Sequence, residues 1–146
     1  MRLGFGSDPN AAALKEALIA YATSLGHEAV DLGSDDPLYA HTAVDVAHRV
    51  VSGEVDRGVV LCGTGIGVSI SANKIDGAYC ALVTDAYQAE RAQLSNNANM
   101  IAIGAQVTGV EVAKRLLHDY LAAQFDPASR SAPKVAAIRE YESGRS

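Results

Sequence analysis

Residues 62–67 read Cys62-Gly63-Thr64-Gly65-Ile66-Gly67, a thiol followed at once by glycines at alternate positions. Glycine leaves the backbone uncovered, so the N–H groups of such a run can close around an anion. A thiol beside these donors gains thiolate character and can serve as nucleophile or base. Two nucleotide loops are excluded by spacing. A dinucleotide fingerprint starting at Gly63 would need glycine where Val68 stands, and a Walker loop would need Lys and Ser/Thr where Val68 and Ser69 follow Gly67. Two chemistries remain: acyl transfer through a thioester, and removal of a proton beside a carbonyl whose oxyanion the amides hold. Acyl transfer calls for a histidine partner. Of His27, His41, His48 and His118, only His41 falls in a loop expected near the glycine run, whereas His48 and His118 fall within helices. Proton abstraction is the better fit. Cys80, inside the apolar stretch 79–83, reads as a core residue.

The 146 residues around this motif carry 12 Lys+Arg against 17 Asp+Glu, a net charge of -5, and are 49% hydrophobic but only 5% aromatic. So much apolar content excludes a mostly disordered chain and fits one domain over 1–146. Its core must be aliphatic, which suits interleaved layers of helix and sheet. The acidic balance argues against a nucleic-acid partner, because such proteins need surplus Lys and Arg against phosphates. No run approaches the ~18 apolar residues of a membrane span, and the first residues lack a signal-peptide pattern. The expected location is cytoplasmic, with both thiols reduced.

Short β-rich runs at 2–6, 28–32, 57–62, 79–83 and 99–103 alternate with helical periodicity at 10–25, 40–52, 86–94 and 109–124. A further helix follows Gly67 to about Lys74, and another at 132–141 closes the chain. Asp8 can cap the first helix, and Pro9 suits its first turn. The run Val59-Val60-Leu61 marks a strand covered on both faces. The alternation predicts an α/β fold with one parallel sheet of about five strands and helices on both faces. Ligands of such sheets bind at the carboxyl ends of the strands, so the loops after strands one, two, three and five should converge.

Taken together, Gly6-Ser7-Asp8, Gly53-Glu54-Val55-Asp56, residues 62–67 with Ala72-Asn73-Lys74, Asn96-Asn97-Ala98-Asn99 and Arg130 resemble the ribose-5-phosphate isomerase B and galactose-6-phosphate isomerase family. The resemblance runs from Arg2 to about Tyr141. It implies a Rossmann-like three-layer sandwich with a five-stranded parallel sheet and a C-terminal helix. It also implies a homodimer with shared active sites, in places a tetramer, and no metal or organic cofactor. The partner it implies is a small phosphosugar. Cys62 would shuttle a proton between C1 and C2 through a cis-enediol, with Thr64 assisting at the substrate oxygens. The amides of Gly63, Gly65, Ile66 and Gly67 would hold the enediolate, and Asp8 and Tyr39 would bind sugar hydroxyls. Asn96 would reach in from the partner, and Arg130 and Lys134 would bind the phosphate.

Four positions depart from the ribose-phosphate members: Pro9 and Ser95 replace histidines, and Gln106 and Lys134 replace arginines. Ser95 is the most informative, because the histidine it replaces opens the furanose ring and a serine does not titrate near neutrality. A tetrose 4-phosphate has O4 esterified and cannot close that ring. The stretches 89–98, 109–114 and 129–132 also resemble the D-erythrulose-4-phosphate isomerases. The expected reaction is interconversion of D-erythrulose 4-phosphate and D-erythrose 4-phosphate. Alternatives are a ribose-5-phosphate isomerase that tolerates Ser95 or uses His41, and a noncatalytic sugar-phosphate-binding subunit.

Overall fold

The structure is a computed structural model that describes residues 1–144; Arg145 and Ser146, within the expected domain, lie outside the described residues. The strands are β1 (Arg2–Ser7), β2 (Glu28–Asp31), β3 (Arg57–Cys62), β4 (Cys80–Leu82) and β5 (Met100–Gly104). The α-helices are α1 (Ala12–Ser24), α2 (Tyr39–Val51), α3 (Ile66–Ala72), α4 (Ala86–Leu94), α5 (Val110–Ala122) and α6 (Ala132–Ser143). A 3-10 turn, Pro9–Ala11, precedes α1, so the first helix starts two residues later than its periodicity suggests. All five strands run parallel in the order β2-β1-β3-β5-β4. The structure is the three-layer α/β sandwich expected.

β3 lies at the centre and is buried on both faces. Val59 and Leu61 join Leu3, Phe5, Ile101 and Ile103 against α1, α4 and α5, while Val60 and Cys62 join Met100 and Ala102 against α2 and α3. Burying each Val, Leu or Ile contributes about 1.5–3 kcal/mol, and strict alternation within a strand puts each residue on one of the two cores. On the second face the strands carry glycines. A Cβ at Gly6 would stand 2.6 Å from the Thr42 methyl, and one at Gly58 would stand 2.8 Å from Val46. The missing side chains let α2 settle close to the sheet, and its first residue, Tyr39, lies against Gly67 in the first turn of α3.

Two buried cations hold the frame. Lys15 of α1, 2% exposed, places its Nζ 2.6 Å from Asp31 at the end of β2. Arg57, at the start of β3, donates to the carbonyls of Tyr120 (2.7 Å) and Ala123 (2.9 Å) and lies over the Tyr120 ring. It thereby satisfies the open carbonyls at the end of α5. At the sheet's edge, Asn73 behaves like a short strand: its Oδ1 accepts the Cys80 N–H at 2.8 Å and its Nδ2 donates to the Cys80 carbonyl at 2.9 Å. α6 is fastened near the same edge by Glu142, which accepts from the Gly77 N–H and the Tyr79 hydroxyl.

Candidate active site

From β1 the chain turns to β2 on one side, yet β3 pairs with β1 on the other, so the sheet divides at the carboxyl ends of β1 and β3. Ligands of open α/β sheets settle at such a division. Asp8 and Cys62 stand there. The Asp8 N–H donates to the Leu61 carbonyl at 3.2 Å and joins the two loops. Asp8 Oδ1 accepts the Ala11 N–H at 3.1 Å, capping the turn that Pro9 opens, and Oδ2 has no donor among the described residues.

Cys62 is 4% exposed, and its Sγ accepts the Gly65 N–H at 3.2 Å. A hydrogen bond aimed at sulfur is stronger to a thiolate than to a thiol. Gly65 reaches it with φ of 79°, in the left-handed region that favours glycine. Thr64 Oγ1 accepts the Ile66 N–H at 3.3 Å, which leaves the hydroxyl proton available to donate. Among the described residues the N–H groups of Gly63, Thr64, Gly67 and Val68 have no acceptor. A thiol therefore sits within a cup of unpaired backbone donors, the arrangement that stabilises an oxyanion beside a base. α3 begins at Ile66, inside the glycine run rather than after it. Glycine is required at position 67 because the Tyr39 ring fills the space a side chain would need. The Gln106 N–H donates to the Gly63 carbonyl at 2.9 Å, and its side-chain amide covers Gly63.

Asp8, Pro9, Tyr39, residues 62–67 and Gln106 thus meet in one chain. Ser95, Asn96, Arg130 and Lys134 do not join them. Ser95 caps α4, and Asn96 leads from there into β5, so both lie at the amino end of a parallel sheet whose carboxyl end holds Cys62. Phe125, which precedes the Arg130 turn, is bound through its N–H by Gln93 at the same amino end. His41 corrects its expected placement: it lies in the first turn of α2, not in a loop. Its ring faces Asp36 at 2.7 Å, and the Leu38 N–H and the His41 ring hold the Asp36 carboxyl below its ordinary range. Burial pushes the Cys80 thiol up to about 12, out of reach of acid-base work. Among the described residues no three His, Cys, Asp or Glu side chains gather to hold a metal ion, and no helix is long and apolar enough to cross a membrane.

A profile described as Ribose/Galactose Isomerase matches residues 3–138. The chain belongs to the ribose/galactose isomerase family. The D-erythrulose-4-phosphate isomerase of Pectobacterium atrosepticum is 40% identical over 146 residues, covering 97% of this chain and 95% of that protein. Ribose-5-phosphate isomerase B of Escherichia coli is 36% identical, covering 99% and 98%. The structure of ribose-5-phosphate isomerase B from Clostridium thermocellum superposes with a TM-score of 0.94 at 37% identity over 100% of both chains.

Within this ribose/galactose isomerase, Gly104 is a site residue that the sequence reading passes over. A Cβ there would stand 2.5 Å from the Thr64 carbonyl, so the end of β5 must be bare for the thiol loop to close over it. A glycine ending a predicted strand was the available signal. Gly104→Ala is expected to lower the melting temperature by several degrees and kcat/KM at least about tenfold, since overpacking here displaces Thr64. Gly109→Ala, with nothing within 4 Å of the added carbon, serves as the control and should leave kcat/KM near wild type, with only the small stability loss of a poorer helix cap.

Proposed function

We propose that the chain, acting as one domain, interconverts D-erythrulose 4-phosphate and D-erythrose 4-phosphate. The observation that carries this reading is Ser95, a hydroxyl where the ribose-phosphate enzymes of the family hold a ring-opening histidine. The erythrulose-phosphate relative at 40% identity supports it. An acyclic substrate needs no ring opening, so the missing acid-base group costs nothing.

The proton transfer uses the cup around Cys62. The thiolate takes a proton from C1 of the ketose; the electron pair becomes the C1–C2 double bond, and the C2 carbonyl becomes an oxyanion held by the loop amides. Thr64, its Oγ1 fixed by the Ile66 N–H, passes a proton between O1 and O2. Cys62 returns its proton to C2 and leaves an aldehyde at C1. Such a carbon acid is weak, and preorganised donors at the developing charge supply the largest share of the rate. Asp8 and Tyr39 would hold the hydroxyls. Ser95, Asn96, Arg130 and Lys134 lie at the other end of their own chain, so in this reading a second copy brings them to Cys62, and the working unit is a homodimer. In an acidic chain, Arg130 and Lys134 give the phosphate its local positive charge.

The test is a panel of four-, five- and six-carbon phosphosugars. The expected result is kcat/KM at least about tenfold higher for erythrulose 4-phosphate than for ribulose 5-phosphate, roughly the discrimination one well-placed group provides. Equal or better turnover of the pentose overturns the tetrose assignment and favours the second reading, ribose-5-phosphate isomerase, which the 36% identical Escherichia coli relative supports.

A further inference from the structure

Three helical arginines aim their guanidinium at a polar side chain one turn away. Arg49 and Arg115 meet carboxylates, those of Asp45 and Asp119. Arg91, in the last turn of α4, meets a hydroxyl instead: its Nε lies 2.6 Å from Ser95 Oγ. It takes part in no ion pair among the described residues, in a chain with a net charge of -5. Guanidinium has no acceptor, so the direction of the bond is fixed: the arginine donates, and the serine hydroxyl accepts. The backbone repeats the grip, with the Ser95 N–H donating to the Arg91 carbonyl at 2.8 Å. Ser95 is held at both ends by one residue.

A hydroxyl held this way is biased toward donating. One of its lone pairs is engaged by a cation, which makes the oxygen a poorer proton acceptor, while its own proton is polarised and left free to donate. Opening a furanose requires a group that removes the anomeric hydroxyl proton and delivers one to the ring oxygen. Ser95, whose oxygen already accepts from a cation and does not titrate near neutrality, is no base for the first of these steps. It can donate to an oxygen that is already free, as in an open-chain sugar. We infer that Arg91 is a positioning residue that fixes Ser95 as a hydrogen-bond donor to an oxygen of an acyclic phosphosugar, and so selects against substrates whose ring must be opened. This rests on the reading above that Ser95 enters the Cys62 site of a second copy.

Arg91→Met, Ser95→Ala and the double variant decide it, assayed with erythrulose 4-phosphate and ribulose 5-phosphate alongside thermal unfolding and competitive inhibition by inorganic phosphate. Each single change is expected to lower kcat/KM on the tetrose about tenfold, as loss of one charge-assisted hydrogen bond does. The double variant should fall no further, because both changes remove the same interaction. Inhibition by phosphate should stay the same in all three, which a phosphate-binding Arg91 would not allow. Additive losses, unchanged kcat/KM in Arg91→Met, or a lower melting temperature with unchanged kcat/KM each overturn the assignment. A wild-type preference for the pentose overturns the tetrose reading and the selection against rings. Arg91's hold on Ser95 is then judged by the same non-additivity on the pentose.

Discussion

Replacing Cys62 with alanine is expected to reduce isomerisation by about 10²- to 10⁴-fold, the range for removing a positioned acid-base group, while inhibition by a phosphate ester stays within a few-fold of wild type. In the proposed reaction one sulfur serves both halves, removing the proton from one carbon and returning it to the other, so no residual route would bypass it. The other thiol, Cys80, is closed in the core with its acidity suppressed by burial. Loss of Sγ also leaves the Gly65 N–H without its acceptor, which could disturb the loop by itself. Cys62→Ser keeps an acceptor at that position but not a competent base, and should be nearly as inactive as the alanine variant. Solvent deuterium should enter the substrate with wild-type enzyme and not with either variant. Near-normal turnover in either would place the base elsewhere.

The second large effect is a rescue. Arg130→Ala is expected to lower kcat/KM roughly 10²-fold through loss of a charge-assisted phosphate contact. If Arg130 serves the Cys62 of another copy, mixing this inactive variant with inactive Cys62→Ala, followed by dissociation and reassociation, should restore about a quarter of wild-type activity. Random pairing makes half of the dimers mixed, and each mixed dimer holds one site with both residues intact and one with neither. If Arg130 acted within its own chain, no combination could assemble a complete site and the mixture would stay inactive. The topology favours rescue, because the turn carrying Arg130 follows a segment bound by Gln93 at the amino end of the sheet, whereas Cys62 closes β3 at the carboxyl end.

Much of this frame is legible in the residues. The unbroken apolar run of β3 announces a central strand, and alternating glycines after Cys62 announce a loop that exposes its amides. What stays hidden depends on contacts remote in sequence. Arg57 reads as a polar residue opening a strand, yet its partners are carbonyls 63 and 66 residues later, which only folding brings near. Lys15 reads as one more helical cation until β2 supplies Asp31. His41 lies inside the first turn of α2, which begins at Tyr39, so the loop placement fails at a position that the helix expected over 40–52 already covered. The bond between Arg91 and Ser95 spans only one helical turn, but the sequence does not say that the arginine lacks a carboxylate partner.

Asn73 has a consequence for assembly. Strand β4 is an edge, and an edge with free amides is a template on which any extended peptide can add a rung, the first step toward fibrils or swapped sheets. The side-chain amide of Asn73 occupies the outward N–H and C=O of Cys80, leaving of β4's outward-facing pairs that of Leu82. The chain carries its own terminator for the ladder. In the proposed homodimer a second copy would therefore meet this one through helices and loops, the surfaces that carry the polar groups of the site, rather than by lengthening the sheet at Cys80.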